Sequence, residues 1–197
     1  MAIQPIHIVG IAGSLRQGSY NRGLIKAAQE LAPPHLTIEI LDLKGIPFYD
    51  GDVEEQGDPA EVQALKETIS KADALLIATP EYNAGMPASL KNATDWASRS
   101  PEGYRKSAMY GKTVAIMGGG GRGAVLAQEQ LVQVLGVLGV DIIHPQVAVS
   151  KVWDKFDATG GLVDEATREQ IKDLLGALSS SLSGTWINCM QWRQDAA

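Results

Sequence analysis

At 197 residues, with 45% hydrophobic and 20% charged residues, the chain has the composition of a globular protein able to bury a full core in one domain, 1–197. Its formal net charge of −6 and the lack of a basic block argue against nucleic acid or an anionic membrane as partner, since both reward clustered Lys and Arg. Cys189 stands alone, which excludes an intrachain disulfide and disfavours a metal site; with no signal-peptide pattern and no bilayer-length apolar run, the cytoplasm is the expected compartment.

The first element is "IHIVGIA" (6–12), rich in β-branched residues and too short for a helix. Leu24, Ala27, Ala28 and Leu31 then recur at helical spacing. "LTIEILDL" (36–43) alternates as a second strand. The polar, turn-rich "YDGDVEEQGDPAE" (49–61) reads as a solvated connection, because its carboxylates lack the spacing of a calcium loop. Val62, Leu65 and Ile69 mark a second helix, and "DALLIATP" (73–80) a third, buried strand. Pro87 suits the first turn of a helix over 87–100, and "KTVAIMG" (112–118) is a fourth strand. Leu131, Val134, Leu135 and Leu138 stripe the next helix, and "VDIIHPQVAV" (140–149) is a fifth strand. Ile171, Leu174, Leu175, Leu178 and Leu182 outline a last helix.

Five strands alternating with five helices predict a parallel sheet joined by right-handed crossovers, with helices on both faces. In such a sheet, ligands lie beyond the carboxyl ends of the strands, near the point where strand order reverses. The segments to search are therefore 12–22, 80–87 and 118–123.

The first, "AGSLRQGSYNR", carries Gly13 and Gly18 at the spacing of a P-loop, but Ser19 and Tyr20 stand where that motif requires Lys and Ser or Thr. Without the lysine nothing stabilises charge on a transferring γ-phosphate, and no G-x-G-x-x-G pattern offers a dinucleotide site. What remains is a strand-to-helix turn with free N–H groups, the hydroxyls of Ser14 and Ser19, the amide of Asn21 and the guanidinium of Arg16. That donor set suits one phosphate. The competing reading is structural: the glycines permit tight turns and Ser19 caps a helix.

The second, "TPEYNAGMPASLKNATDW", offers the aromatic face of Tyr82, the polar edge of Asn83 and a stiff exit at Pro80, a setting for a planar, polar-edged ring or simply a turn with a surface Tyr. The third, "MGGGGRGAV", lets bare backbone approach a flat ligand, with Arg122 near a second substrate; alternatively it only caps the next helix.

Together, "GSLRQGSYNRGL", "TPEYNAGMPASLKNATDWAS" and the glycine-rich loop, in this order over residues 6 to 150, resemble the NADPH-dependent FMN reductase family, which includes quinone and chromate reductases. The resemblance implies a flavodoxin-like three-layer sandwich with a five-stranded parallel sheet and non-covalent FMN. By this resemblance Ser14, Arg16, Ser19, Tyr20 and Asn21 would hold the FMN phosphate. Pro80, Glu81, Tyr82 and Asn83 would bound the isoalloxazine ring, and Gly118, Gly119, Gly120 and Gly121 would pass its other edge. The family often has a hydroxyl residue before these glycines; Met117 and Gly118 stand there, so this loop offers backbone groups.

The resemblance also implies NADPH or NADH as hydride donor and a small-molecule acceptor such as a quinone, flavin, azo compound or chromate, used alternately in a ping-pong cycle. The flavin would carry the chemistry, so no catalytic side chain is nominated, and His7, His35 and His144 read as structural or exposed. Arg99 and Arg122 are the candidate substrate contacts. The rival readings are a flavodoxin-type electron carrier, whose phosphate loop has no equivalent of Arg16, and an FMN-binding scaffold. A homodimer or homotetramer is implied, with "DWASRSPEGYRKSAMYG" and the two tryptophans of "TWINCMQW" as apolar surface for an interface or for the chain's own core.

Overall fold

The structure, a computed structural model, describes residues 5–195, with side chains through Ser183. The six strands are β1 (Ile6–Ala12), β2 (Leu36–Leu41), β3 (Ala74–Thr79), β4 (Thr113–Gly120), β5 (Asp141–Ile142) and β6 (Val147–Ser150). The six α-helices are α1 (Tyr20–Leu31), α2 (Gly51–Glu55), α3 (Ala60–Lys71), α4 (Ala88–Ala97), α5 (Val125–Val137) and α6 (Glu165–Asp195). The sheet runs β2-β1-β3-β4-β5, with β6 also paired to β4, and every pairing is parallel.

Crossover direction reverses after β1, which puts β2 on one side of it and β3 on the other. The carboxyl ends of β1, β3 and β4 thus meet at one switch point. Helices α1 and α6 pack on one face against Ile8, Leu76, Ala115 and Met117. Helices α3, α4 and α5 pack on the other against Val9, Ile11, Leu75, Ile77 and Ile116. The apolar run of β3 is buried along its whole length because it is covered on both faces.

The fold is the expected flavodoxin-like sandwich, with three differences in detail. The fifth strand is not continuous over 140–149: Pro145 has no N–H for the ladder, and the edge divides there into β5 and β6. The polar connection 49–61 contains a short helix, α2, started by the Asp50 carboxylate accepting the Asp52 N–H at 2.9 Å. The glycine segment is not a loop from residue 118: pairing with Ala148, Val149 and Ser150 of β6 keeps Gly118, Gly119 and Gly120 within β4. The tail tryptophans, Trp186 and Trp192, lie outside the described side chains.

Candidate functional site

The loop after β1 is fixed at its start, where Gly13 donates its N–H to the Ala78 carbonyl at 2.8 Å and accepts the Ser89 hydroxyl at 2.7 Å. The Ser19 hydroxyl accepts the Arg22 N–H at 3.4 Å and so caps α1. The N–H groups of Tyr20 and Asn21, in the first turn, have no partner among the described residues. Ser14 is buried; its Oγ accepts the Arg16 N–H at 3.3 Å and lies 3.2 Å from the Tyr82 hydroxyl.

Two arginines of this region have different roles. Arg22 pairs with Asp42 at 3.4 Å, and the Asp42 carboxyl is held below its ordinary range chiefly by the Lys44 backbone N–H, against the effect of burial and with help from Arg22. The Arg16 guanidinium is exposed and meets no carboxylate among the described residues. An unpaired cation, a buried hydroxyl and two orphan helix N–H groups in one turn match the donor set a monophosphate requires.

Tyr20 and Asn21 turn inward instead of toward this loop's mouth. The Tyr20 ring packs on Phe156 with centroids 5.3 Å apart. Asn21 is buried; its Nδ2 donates to the Gly119 carbonyl at 3.0 Å and its Oδ1 accepts the Gly119 N–H at 2.9 Å. Both ends of the side-chain amide thereby tie α1 to β4, and the Asn21 backbone N–H is its group without a partner among the described residues.

The second loop makes a two-residue hairpin turn, with Tyr82 and Gly85 exchanging both backbone hydrogen bonds at 2.9 and 3.1 Å. Asn83 (φ 50°) and Ala84 (φ 61°) are both left-handed, as the turn type demands. Pro80 is buried, while Tyr82 is 53% exposed. Glu81 does not face the mouth: its Oε2 accepts the N–H groups of Leu126 at 3.0 Å and Ala127 at 3.4 Å. It caps α5, whose own N-terminal residue, the left-handed Ala124, has no side-chain cap. Gln130 holds the other end of the loop by accepting the Met86 N–H at 2.7 Å.

The four glycines separate into two pairs. A Cβ on Gly118 would lie 2.7 Å from Gln128 Nε2 and 3.0 Å from the Thr79 carbonyl, and one on Gly119 would lie 2.8 Å from Val152 Cγ2. These two are required by the protein's own packing. At Gly120 and Gly121 a Cβ would meet nothing nearer than 3.7 and 3.6 Å. No internal contact demands glycine there, so the bare backbone is left for a flat ligand, and the site fits FMN on this observation as well as on its phosphate donors.

Of the candidate substrate contacts, Arg122 lies beside the glycine turn and bridges to Ser150 through its backbone. Arg99 does not join the site. It lies past the far end of α4, where its Nε donates to Glu54 at 3.0 Å and its guanidinium stacks 5.4 Å over Tyr49. Burial raises the Glu54 pKa, but the Tyr49 hydroxyl and Arg99 outweigh it and hold the carboxyl below its ordinary value. Trp153, missed by the sequence reading, is 51% exposed with its Cη2 beside Gly121. The signal for it was available, since the segment after the last strand opens onto the same carboxyl edge.

Among the described residues no helix is long and apolar enough to cross a membrane, and no group of His, Cys, Asp or Glu is arranged to hold a metal ion. The fold and the three loops define a flavodoxin-like α/β protein whose switch point carries groups suited to a mononucleotide. The model of the NADPH-dependent FMN reductase family matches residues 6–154, and the chain belongs to that family. It is 46% identical over 176 residues to the NAD(P)H-dependent FMN reductase PA1204 of Pseudomonas aeruginosa, covering 88% of this chain and 93% of the relative. It is 39% identical over 188 residues to the NAD(P)H:quinone oxidoreductase of Solanum tuberosum, covering 91% and 95%. The solved structure of FerB, a flavoenzyme NAD(P)H:(acceptor) oxidoreductase from Paracoccus denitrificans, superposes with a TM-score of 0.81 at 31% identity, covering 91% of this chain and 98% of that one. The chain is an FMN-dependent NAD(P)H oxidoreductase.

Proposed function

We propose that the chain passes two electrons from NAD(P)H to quinone-type acceptors, with FMN held across the three carboxyl-edge loops. The single observation that carries the site assignment is the convergence of the Arg16 guanidinium and the Tyr20 and Asn21 N–H groups, all without internal partners among the described residues, with the Gly120–Gly121 segment, where an added Cβ would meet nothing nearer than 3.6 Å. Arg16, Ser14 and the first turn of α1 bind the phosphate in this reading, with Ser19 shaping the turn as its cap. Tyr82, Asn83 and the backbone after Pro80 bound the ring, and Glu81 and Asn21 position the walls. Bound there, FMN supplies the hydride-accepting and electron-donating chemistry.

The acceptor class follows from the rim. Leu15, Tyr82 and Trp153 are each about half exposed on these loops, at 51, 53 and 51%. Such a border suits a planar, apolar acceptor better than a hydrated oxyanion. Two relatives named as quinone oxidoreductases, from Solanum tuberosum and Arabidopsis thaliana, support the same choice. A homo-oligomer is part of the proposal, supported by the family resemblance.

The test is an anaerobic titration of the purified protein with NADPH, followed by steady-state kinetics with a benzoquinone, an azo dye and chromate. Flavin absorbance near one FMN per chain that bleaches with NADPH, parallel double-reciprocal lines and highest kcat/KM for the quinone are expected. Bound FMN that NADPH leaves oxidised would overturn the reductase in favour of a carrier. A higher kcat/KM for chromate would overturn the acceptor class.

A further inference from the structure

The turn after β4 brings two cations that hold no part of the flavin beside Trp153 of the rim. Arg122 forms an isolated antiparallel bridge with Ser150, and the next residue, Lys151, donates its N–H to the Gly121 carbonyl at 3.3 Å. Two cations from different strand extensions thereby stand one residue out of register across this bridge on the carboxyl edge, and both are exposed. Neither forms an ion pair or side-chain hydrogen bond among the described residues. Several other cations are paired, Arg22 with Asp42, Lys66 with Asp58, Arg99 with Glu54 and Lys155 with Asp164, whereas these two lie free beside the candidate flavin site. In a chain of net charge −6, two neighbouring cations that make no ion pair are a local source of positive charge.

The backbone holds this arrangement against a local preference. Lys151 has φ 46°, in the left-handed region that a lysine adopts at a cost of about 1 kcal/mol. It is pinned there because the next residue, Val152, is buried over Gly119. The same anchor presents Trp153, whose Cη2 lies 3.6 Å from the position a Cβ on Gly121 would take. Asp154, next in the chain, meets Lys151 through the backbone, donating its N–H to the Lys151 carbonyl at 2.9 Å. A half-exposed indole beside two free cations is a stacking surface with two anion donors.

We propose that Arg122, Lys151 and Trp153 form the subsite for the adenosine half of NADPH, with the indole stacked on the adenine and the two cations on the 2′-phosphate. The proposal rests on the chain's activity as an NAD(P)H oxidoreductase and assigns its nucleotide preference. NADH carries a hydroxyl where NADPH carries a dianionic phosphate, so the pair of cations favours NADPH. The cluster begins one residue beyond the Gly120–Gly121 backbone, which places it outside the flavin site and beside it.

The test has two arms. In the first, holoenzyme variants Arg122→Gln and Lys151→Asn are assayed with both nucleotides; asparagine tolerates the left-handed backbone. The ratio of kcat/KM for NADPH to that for NADH is expected to fall about tenfold for each cation removed. Lys106→Gln, which removes an exposed charge elsewhere, leaves the ratio unchanged. In the second arm, adenosine 2′,5′-bisphosphate and 5′-AMP are titrated calorimetrically into wild type, Trp153→Phe and Trp153→Ala. Tighter binding of the bisphosphate than of 5′-AMP is expected in wild type, and both affinities are retained by Phe and weakened with Ala. An unchanged nucleotide ratio in the Arg122→Gln/Lys151→Asn double variant, or equal affinity for the two probes in wild type, overturns the subsite. Should the holoenzyme oxidise neither nucleotide, the activity reading fails while the bisphosphate titration still decides the subsite.

Discussion

Asn21 holds both backbone polar groups of Gly119, donating to its carbonyl at 3.0 Å and accepting its N–H at 2.9 Å. A side-chain amide thus pairs like a strand with the buried end of β4, and it locks the loop after β1 to the glycine segment. Asn21→Ala leaves both Gly119 groups unsatisfied in a buried site, with an expected loss of about 2–4 kcal/mol from two such groups. Chemical denaturation of the apoprotein measures the stability change, and an accompanying rise in the FMN Kd checks that the loops separate.

Glu81 links the ring loop to α5 by accepting the Leu126 and Ala127 N–H groups. Glu81→Ala removes the cap of α5 at an expected cost of about 1 kcal/mol. Glu81→Gln retains an acceptor and recovers part of it. If the residue acts by positioning, FMN affinity falls with Ala and is partly restored with Gln; equal FMN affinity in all three proteins would refute that role.

The two pairs of glycines predict opposite outcomes for one substitution. Gly119→Ala drives a Cβ into Val152 and lowers stability by an expected 1–3 kcal/mol, roughly the usual cost of overpacking. Gly121→Ala meets only open space up to 3.6 Å, so Tm stays near wild type while FMN binding weakens. Thermal melts and fluorescence titration with FMN separate the two effects.

Asp164, just before α6, accepts the Lys155 ammonium at 2.8 Å and both the hydroxyl and N–H of Thr167. The Lys155 bond, then those from Thr167, lower its pKa from 3.8 to about 2. Because the folded value lies below the unfolded one, the carboxylate's contribution to stability is complete above about pH 4 and is lost as pH falls toward 2. Asp164→Asn is therefore expected to have a lower Tm than wild type at pH 6, with the gap closing as pH approaches 2. A gap independent of pH would show that the charge contributes nothing.

The order and type of the elements were legible in the sequence because each is encoded within a short window. The unbroken apolar run of β3 and the 3.6-residue stripe of α6 need no knowledge of their neighbours. The loop proposed to hold the phosphate was legible for the same reason, its candidate donors lying between Ser14 and Asn21. What only the tertiary structure decided are relations between distant residues. Gly118 and Gly119 are packing glycines while Gly120 and Gly121 are open, because β6 continues alongside β4 and brings in Val152. Glu81 caps a helix 45 residues away instead of facing a ring, and Arg99 turns to Glu54. Trp153 reaches Gly121 only because Val152 is anchored over Gly119. Periodicity shows which face of an element is buried, but the register and crossing of packed elements decide which polar groups meet, and that decides which side chains remain free for a ligand.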